Sequence, residues 1–205
     1  MPRRPTALLV VIAWFLLPAS ARGQQDSTAA TTRVGLSSVG ALSVHGSFAS
    51  IQRGYRALAL GATTDFGHIA SPRLRLLADI GYLRSFAKTE FVAAENRSYR
   101  DVFRDLSGTL ALALHLTDPT SRVTPYVAGG VGVHVLSSSF GSLAIDTRYN
   151  TNNFGMLAAA GARLRTGATS RRAVQFEVRR VLAPDVSRTS VHLGLAYLLG
   201  DLARP

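Results

Sequence analysis

Leu106, Leu110, Leu112, Leu114 and Leu116, with Gly108 in the same row, alternate with Ser107, Thr109, Ala111, Ala113 and His115. Successive side chains of a β-strand point to opposite faces, so this spacing gathers the leucines on one side. A helix, at about 100° per residue, would scatter them around its circumference. The segment is therefore a strand with one apolar face and one small or polar face. Repeated along the chain, that two-residue period demands a sheet whose two sides meet two different environments.

The start of the chain says which environments are available. Arg3 and Arg4 precede an apolar run from Ala7 to Leu17, and Ala19-Ser20-Ala21 fits the small-x-small pattern of a cleavage site, with cleavage expected after Ala21 or Gly23. A membrane helix needs about 20 apolar residues; this run is shorter and ends at Pro18. Residues 1–23 are therefore read as a signal peptide, 24–33 as a flexible polar segment and 34–205 as one domain. No later stretch is long and apolar enough for a membrane helix. A mature chain that spans a membrane must then do so as a closed barrel, because only helices and barrels satisfy every backbone polar group in lipid.

The mature chain, about 180 residues, is enough for one domain with no second. It contains no cysteine, so although an exported protein could form disulfides, this one relies on its sheet. The formal charge of the precursor is +11; without Arg3, Arg4 and Arg22 there remain 20 basic and 12 acidic residues, and Lys88 is the only lysine. The arginines are dispersed, with no basic helix or clustered stripe, and export also argues against nucleic acid as partner. Lipopolysaccharide in an outer leaflet, or an acidic barrel interior, offers guanidinium groups the anions they pair with.

Eight candidate strands follow: 34–46, 54–66, 73–88, 100–117, 124–138, 152–166, 173–183 and 189–199. Each reaches or approaches the 9 to 11 residues that a tilted strand needs to cross a bilayer. Their connections alternate in character. Gly67 to Pro72, Asp118 to Val123 and Gly167 to Arg172 are short and rich in turn formers, whereas Thr89 to Tyr99 and Ser139 to Thr151 are long and polar. Short periplasmic turns and longer external loops are the pattern of an outer-membrane barrel. The segment 47–53 and the turn from Pro184 to Arg188 are shorter external links, so a lopsided outer rim is expected.

Face assignments are consistent from strand to strand. Val127, Val131, Val133 and Val135 oppose Tyr126, Ala128, Gly130, Gly132 and His134; Phe154, Met156 and Leu164 oppose Arg163 and Arg165. Val174, Phe176 and Val178 oppose Gln175, Glu177 and Arg179, and Leu74, Leu76, Ile80 and Tyr82 oppose Arg75 and Asp79. The charges gather inside. The first strand has the weakest register, since Ser38 and Gly40 interrupt its outward row. Phe66, Phe176 and Tyr197 fall toward the periplasmic ends and Phe86, Phe140 and Phe154 toward the external ends, as interfacial girdles would.

Pro125-Tyr126-Val127-Ala128-Gly129-Gly130-Val131-Gly132-Val133 resembles the Pro-Tyr strand with spaced glycines of small outer-membrane barrels of the OmpA/OmpX type. His192, Gly194, Leu195, Tyr197 and Leu199 resemble the carboxy-terminal assembly signal of such barrels. The resemblance implies an all-β fold, an eight-stranded antiparallel up-and-down transmembrane barrel, in the outer membrane, with the barrel-assembly machinery as a partner during biogenesis. Its motifs specify fold more than activity.

Candidate chemistry is sparse. Glu177 with Arg163 or Arg179, and Arg75, Asp79 and Arg165, are expected to form a structural charge network, because an unpaired buried charge costs several kcal/mol. His45 and Ser47 share a face, and with an acid they would resemble the triad of a lipid-A-modifying esterase, but no acid at a matching position is identifiable. His115, His134 and His192 also face inward, yet without recognised metal-ligand spacing. The Gly129-Gly130-Val131-Gly132 run lies mid-strand and precedes no helix, so it relieves crowding rather than binding phosphate. The expectation is a monomeric, non-enzymatic barrel with a structural or surface-interaction role through its external loops, with outer-membrane lipids or lipopolysaccharide as partners and no catalytic, cofactor or metal site. The alternatives are a soluble periplasmic barrel carrying a hydrophobic ligand, and the esterase.

Overall fold

The computed structural model of the protein describes residues 39–142, 145–167 and 170–203; the expected signal peptide 1–23 and polar segment 24–33 lie outside them. Nine strands follow in order: β1 Ala41–Ile51, β2 Tyr55–Ile69, β3 Ser71–Ser85, β4 Lys88–Val92, β5 Arg97–His115, β6 Val123–Ser142, β7 Ile145–Arg165, β8 Arg172–Leu182 and β9 Arg188–Leu198. Every pairing is antiparallel. β4 leans on the start of β5, while β3 passes over it to pair with β5 directly. β1 pairs with β9 from Ala41↔Leu198 to Ile51↔Arg188, so the sheet closes into a barrel of eight staves.

The two-residue period is realised stave by stave. On β5, Leu110, Leu112 and Leu114 are 41 to 45% exposed on the outer surface, while Ala113 and His115 are at most 2% exposed on the luminal side. The outward rows of β6, β7 and β8 are the valines, phenylalanines and Met156 read from the sequence, and Arg75, Asp79, Arg163, Arg165 and Glu177 are buried. Leu42, Val44 and Phe48 on β1, Leu58 and Leu60 on β2 and Leu193 and Leu195 on β9 complete an apolar band on all staves. Phe176 and Tyr197 are exposed toward the short-turn end, and Phe86 and Phe154 toward the other.

Three expectations need correction. The first stave runs over Ala41–Ile51 rather than 34–46, of which 34–38 lie outside the described residues. Gly40, just before it, still bonds to both neighbours, its N–H donating to the Asp65 carbonyl at 2.8 Å and its carbonyl accepting from Leu199 N–H at 2.7 Å. The strand continues to Ile51 because a stave between two neighbours has its backbone groups paired on both sides, here with β2 and β9. The outer link shrinks to Gln52–Gly54, where Arg53 and Gly54 turn the chain at φ 66° and 79°.

The long polar connections are also strand. β4 and the start of β5 occupy the first, and β6 and β7 extend to Ser142 and from Ile145 in the second. Residues 137–142 and 146–151 are mostly serine, threonine, asparagine and other polar or small residues, so no apolar alternation marks their pairing in the sequence. The turn between β2 and β3 contracts to Ala70, at φ 59°, after a register shift near Asp65. The lopsided rim is present: β5, β6 and β7 have 19, 20 and 21 residues, against 11 each in β1, β8 and β9.

Leu112→Arg is expected to destabilise the barrel by about 2 to 4 kcal/mol, the cost of arginine on the lipid face near the bilayer midplane. Urea unfolding of the protein folded into lipid vesicles measures it, and a variant as stable as the parent would contradict the placement.

Candidate functional site: the luminal charge column

Eight staves enclose an interior that side chains fill, and buried charges there require partners at short range. The luminal rows meet that requirement in three storeys. At the short-turn end, Arg75 is fully buried; its Nε donates to Asp65 Oδ1 and Oδ2 at 3.0 and 2.8 Å, and its Nη1 and Nη2 donate to Asp201 at 2.8 and 3.1 Å. Asp201 lies on the short turn Gly200–Ala203 that follows β9, and it also meets His68 at 3.4 Å. The next residue, Leu202, is buried, and its carbonyl accepts from Arg165 Nη2 at 2.7 Å.

Asp79 is the hub of the middle storey. It accepts from Thr63 Oγ1 at 2.7 Å and Arg179 Nη1 at 2.9 Å, and meets His45 Nε2 at 2.7 Å. Arg179 Nε then donates to Glu177 Oε1 at 2.7 Å; Tyr126 donates to Glu177 Oε2 at 2.7 Å and accepts from Gln175 Nε2 at 2.7 Å. In the third storey the buried Asp105 is held between Arg188 and His134 Nδ1, the latter at 3.0 Å. Asp101 accepts from Tyr55 at 2.5 Å and Ser138 at 3.3 Å.

One branch of the hub is a relay. Ser190 Oγ lies 2.8 Å from His192 Nε2, His192 Nδ1 lies 3.2 Å from His45 Nδ1, and His45 Nε2 reaches Asp79. With both imidazoles neutral the donors run in one direction: Ser190 to His192, His192 to His45, His45 to the carboxylate. Both cross-strand partners of His45 are glycines, Gly61 and Gly194. A Cβ on Gly61 would lie 2.5 Å from His45 Cε1, and one on Gly194 would lie 2.9 Å from His45 Cβ, so the imidazole has room only because both are absent.

The relay has the composition of a hydrolase triad with an extra histidine, but its position is wrong for one. Ser190 is 3% exposed, and the small luminal cavity beside Arg163 and His115 does not touch it. A nucleophile needs space beside it for the reacting atom.

The sequence expectations fare unevenly. Glu177 pairs with Arg179 and not with Arg163, whose nearest acid is Asp65 at 3.9 Å. His45 and Ser47 do share the luminal face, but the serine that completes the histidine chain is Ser190, and the acid is Asp79. His115, His134 and His192 separate: His134 joins Asp105, His192 joins His45, and His115 rests against the Tyr126 ring at 5.8 Å. Among the described residues no cluster of three or more His, Asp or Glu side chains is placed to hold a metal. Asp65, Asp105 and Asp201 escaped sequence reading. Asp201 lies beyond the last stave, where no period points to the lumen; for His45 the usable signal was the pair of facing glycines.

No protein-family model and no curated protein matches the sequence. Solved structures match the fold. The N-terminal β-barrel domain of Pseudomonas aeruginosa OprF aligns with a TM-score of 0.51 at 10% identity, over 78% of this chain and 98% of that one. Ail, the attachment invasion locus protein of Yersinia pestis, gives 0.51 at 12%, over 79% and 99%. A major outer membrane protein of Thermus thermophilus gives 0.51 at 12%, over 78% and 99%. The chain therefore has the fold of the small eight-stranded outer-membrane β-barrels.

Two outcomes are expected of the column. Asp79→Asn takes from Arg179 one of its two carboxylates and weakens the end of the relay, and should cost about 1.5 to 3 kcal/mol, as losing a hydrogen bond to a charged group does, whereas Ser47→Ala should cost under about 1 kcal/mol; urea unfolding compares them. Asp201 is about one-third exposed: its partial burial opposes ionisation, but the hydrogen bond and charge of Arg75, helped by His68, outweigh that and hold its carboxyl below the ordinary value of 3.8. Its stabilising contribution is complete above that value and is lost as pH falls through the depressed one. Asp201→Asn should therefore flatten the loss of stability below pH about 4, seen as a smaller fall in unfolding midpoint than the parent shows.

Proposed function

We propose that this protein is a non-enzymatic, monomeric outer-membrane barrel serving the envelope in a structural and surface-interaction role, with its extended hairpins as the external surface. The observation that carries this reading is the pairing of an apolar band on every stave with a lumen filled by paired charges. A soluble carrier of hydrophobic ligands requires the reverse, apolar rows inside and polar rows outside. An enzyme acting on membrane lipid must present its nucleophile to the lipid face, and His45, Ser47 and Ser190 belong to the lumen.

Anionic lipid of the outer leaflet is the partner we favour. Arg56, Arg84 and Arg104 stand exposed on the outer surface of three adjacent staves, one step beyond Leu58, Tyr82 and Leu106 toward the long hairpins. Arg84 and Arg104 are direct cross-strand partners. Like charges directly opposite repel, and lipopolysaccharide phosphates at the interface would relieve that repulsion with paired hydrogen bonds. The row Leu193, Leu195, Tyr197 on β9, at the closing seam, is the surface we assign to the assembly machinery.

Membrane fractionation and detergent extraction, followed by a gel comparing heated and unheated samples, test the reading. The expected result is membrane association and a heat-dependent mobility shift; a protein that purifies without detergent and shows no shift would favour the soluble carrier. Replacing Arg56, Arg84 and Arg104 together by glutamine should preserve the shift and lower the lipopolysaccharide retained through purification, and unchanged retention would remove lipid as the partner of those arginines.

A further inference from the structure

The lowest storey of the column contains more buried donors than acceptors. Arg163 is 6% exposed, and its Nε and Nη1 have no hydrogen-bond partner among the described residues; the same holds for Nε and Nη1 of Arg165, 4% exposed and one step along the same luminal row of β7, and for His115 Nδ1. A guanidinium has only donors, so each of these arginine N–H groups calls for an acceptor, whereas His115 Nδ1 donates or accepts according to its tautomer.

The acceptors nearby are already engaged. Asp65 accepts from Arg75 Nε and from the amide of Gly67, and its Oδ2 is 3.9 Å from Arg163 Nη2, outside hydrogen-bonding range. Gln175 is turned to Tyr126, and Thr63 to Asp79. Charge tells the same story: among the described residues the ion pairs of Arg75 and Arg163 are with Asp65 and Asp201, and Arg165 has none, so three cations share two carboxylates.

Arg163 and His115 both line a small cavity, bounded also by Ser43, Thr63, Asp65 and Gln175. The volume swept inside it by the centre of a water-sized sphere is about 10 Å³, room for one atom-sized guest. A neutral water would satisfy hydrogen bonds and leave the surplus charge. A monovalent anion satisfies both.

We propose that the barrel encloses a binding site for a single small inorganic anion, chloride by size and charge, held by Arg163 with His115 in the cavity below the Asp79 hub and drawn there by the uncompensated charge of Arg163 and Arg165. Phosphate, sulfate and carboxylate ligands are too large for the space. The site is independent of the surface role, since it lies in the lumen and touches none of the outer arginines.

Bromide is the probe. Crystals of the detergent-solubilised full barrel grown in bromide should show an anomalous peak beside Arg163 and His115; ordinary water density there, with no anomalous signal, overturns the site. In parallel, the midpoint of the heat-dependent mobility shift should rise when gluconate, too large to enter, is exchanged for chloride at equal ionic strength, and Arg163→Met should lose that rise. An equal rise in both proteins marks a general salt effect and also overturns the proposal. If Arg163→Met does not fold, the bromide result on the parent protein decides alone.

Discussion

Closure of the sheet along β1 and β9 is the constraint on which the other features depend. Eleven consecutive residue pairs, Ala41↔Leu198 to Ile51↔Arg188, join the first stave to the last and leave no stave of the ring with an unpaired side. Without that seam the structure would be a twisted sheet with two exposed edges, which cannot sit in lipid. With it, each stave has an inside and an outside, and every inward side chain is committed to a narrow shared space. The charge column is a consequence of this commitment: residues separated by about a hundred positions or more, such as Asp79 and Arg179, or Arg75 and Asp201, become one another's counterions.

Much of the wall was legible because the outer surface and the lumen impose opposite preferences on alternate residues. The leucines of β5 and the valines of β6 were assigned to the right face, as were the inward charges of β3, β7 and β8. Legibility failed where that contrast disappears. The extensions of β6 and β7 are rich in serine, threonine and asparagine, and their pairing rests on backbone hydrogen bonds, which carry no residue code. β1 keeps the face read from the sequence, with its even-numbered row outward, and differs in extent: its run to Ile51 follows from pairing with both neighbours, which no local residue code marks.

Side-chain partners were far less legible than faces. That Glu177, Arg163 and Arg179 all point inward follows from a period of two; that Glu177 takes Arg179 depends on how eight staves are staggered, which fixes height in the lumen. The same stagger separates three histidines that share a direction and brings Ser190, not Ser47, to the histidine chain. Small residues held part of the missing information. Gly61 and Gly194 face His45 from both sides, and Gly161 faces Tyr126; a glycine directly opposite a large luminal side chain marks where the interior is most crowded.

The turn that follows β9 has a bearing on how the molecule is made. Arg75 emerges early in the chain, on the third stave, but two of its hydrogen bonds are to Asp201, and Arg165 leans on the carbonyl of Leu202. Both contacts form only when the segment beyond the final stave has folded beneath the lumen. Wall and floor therefore share their last segment: the strand that closes the ring against the first stave continues directly into the turn that lies under these arginines.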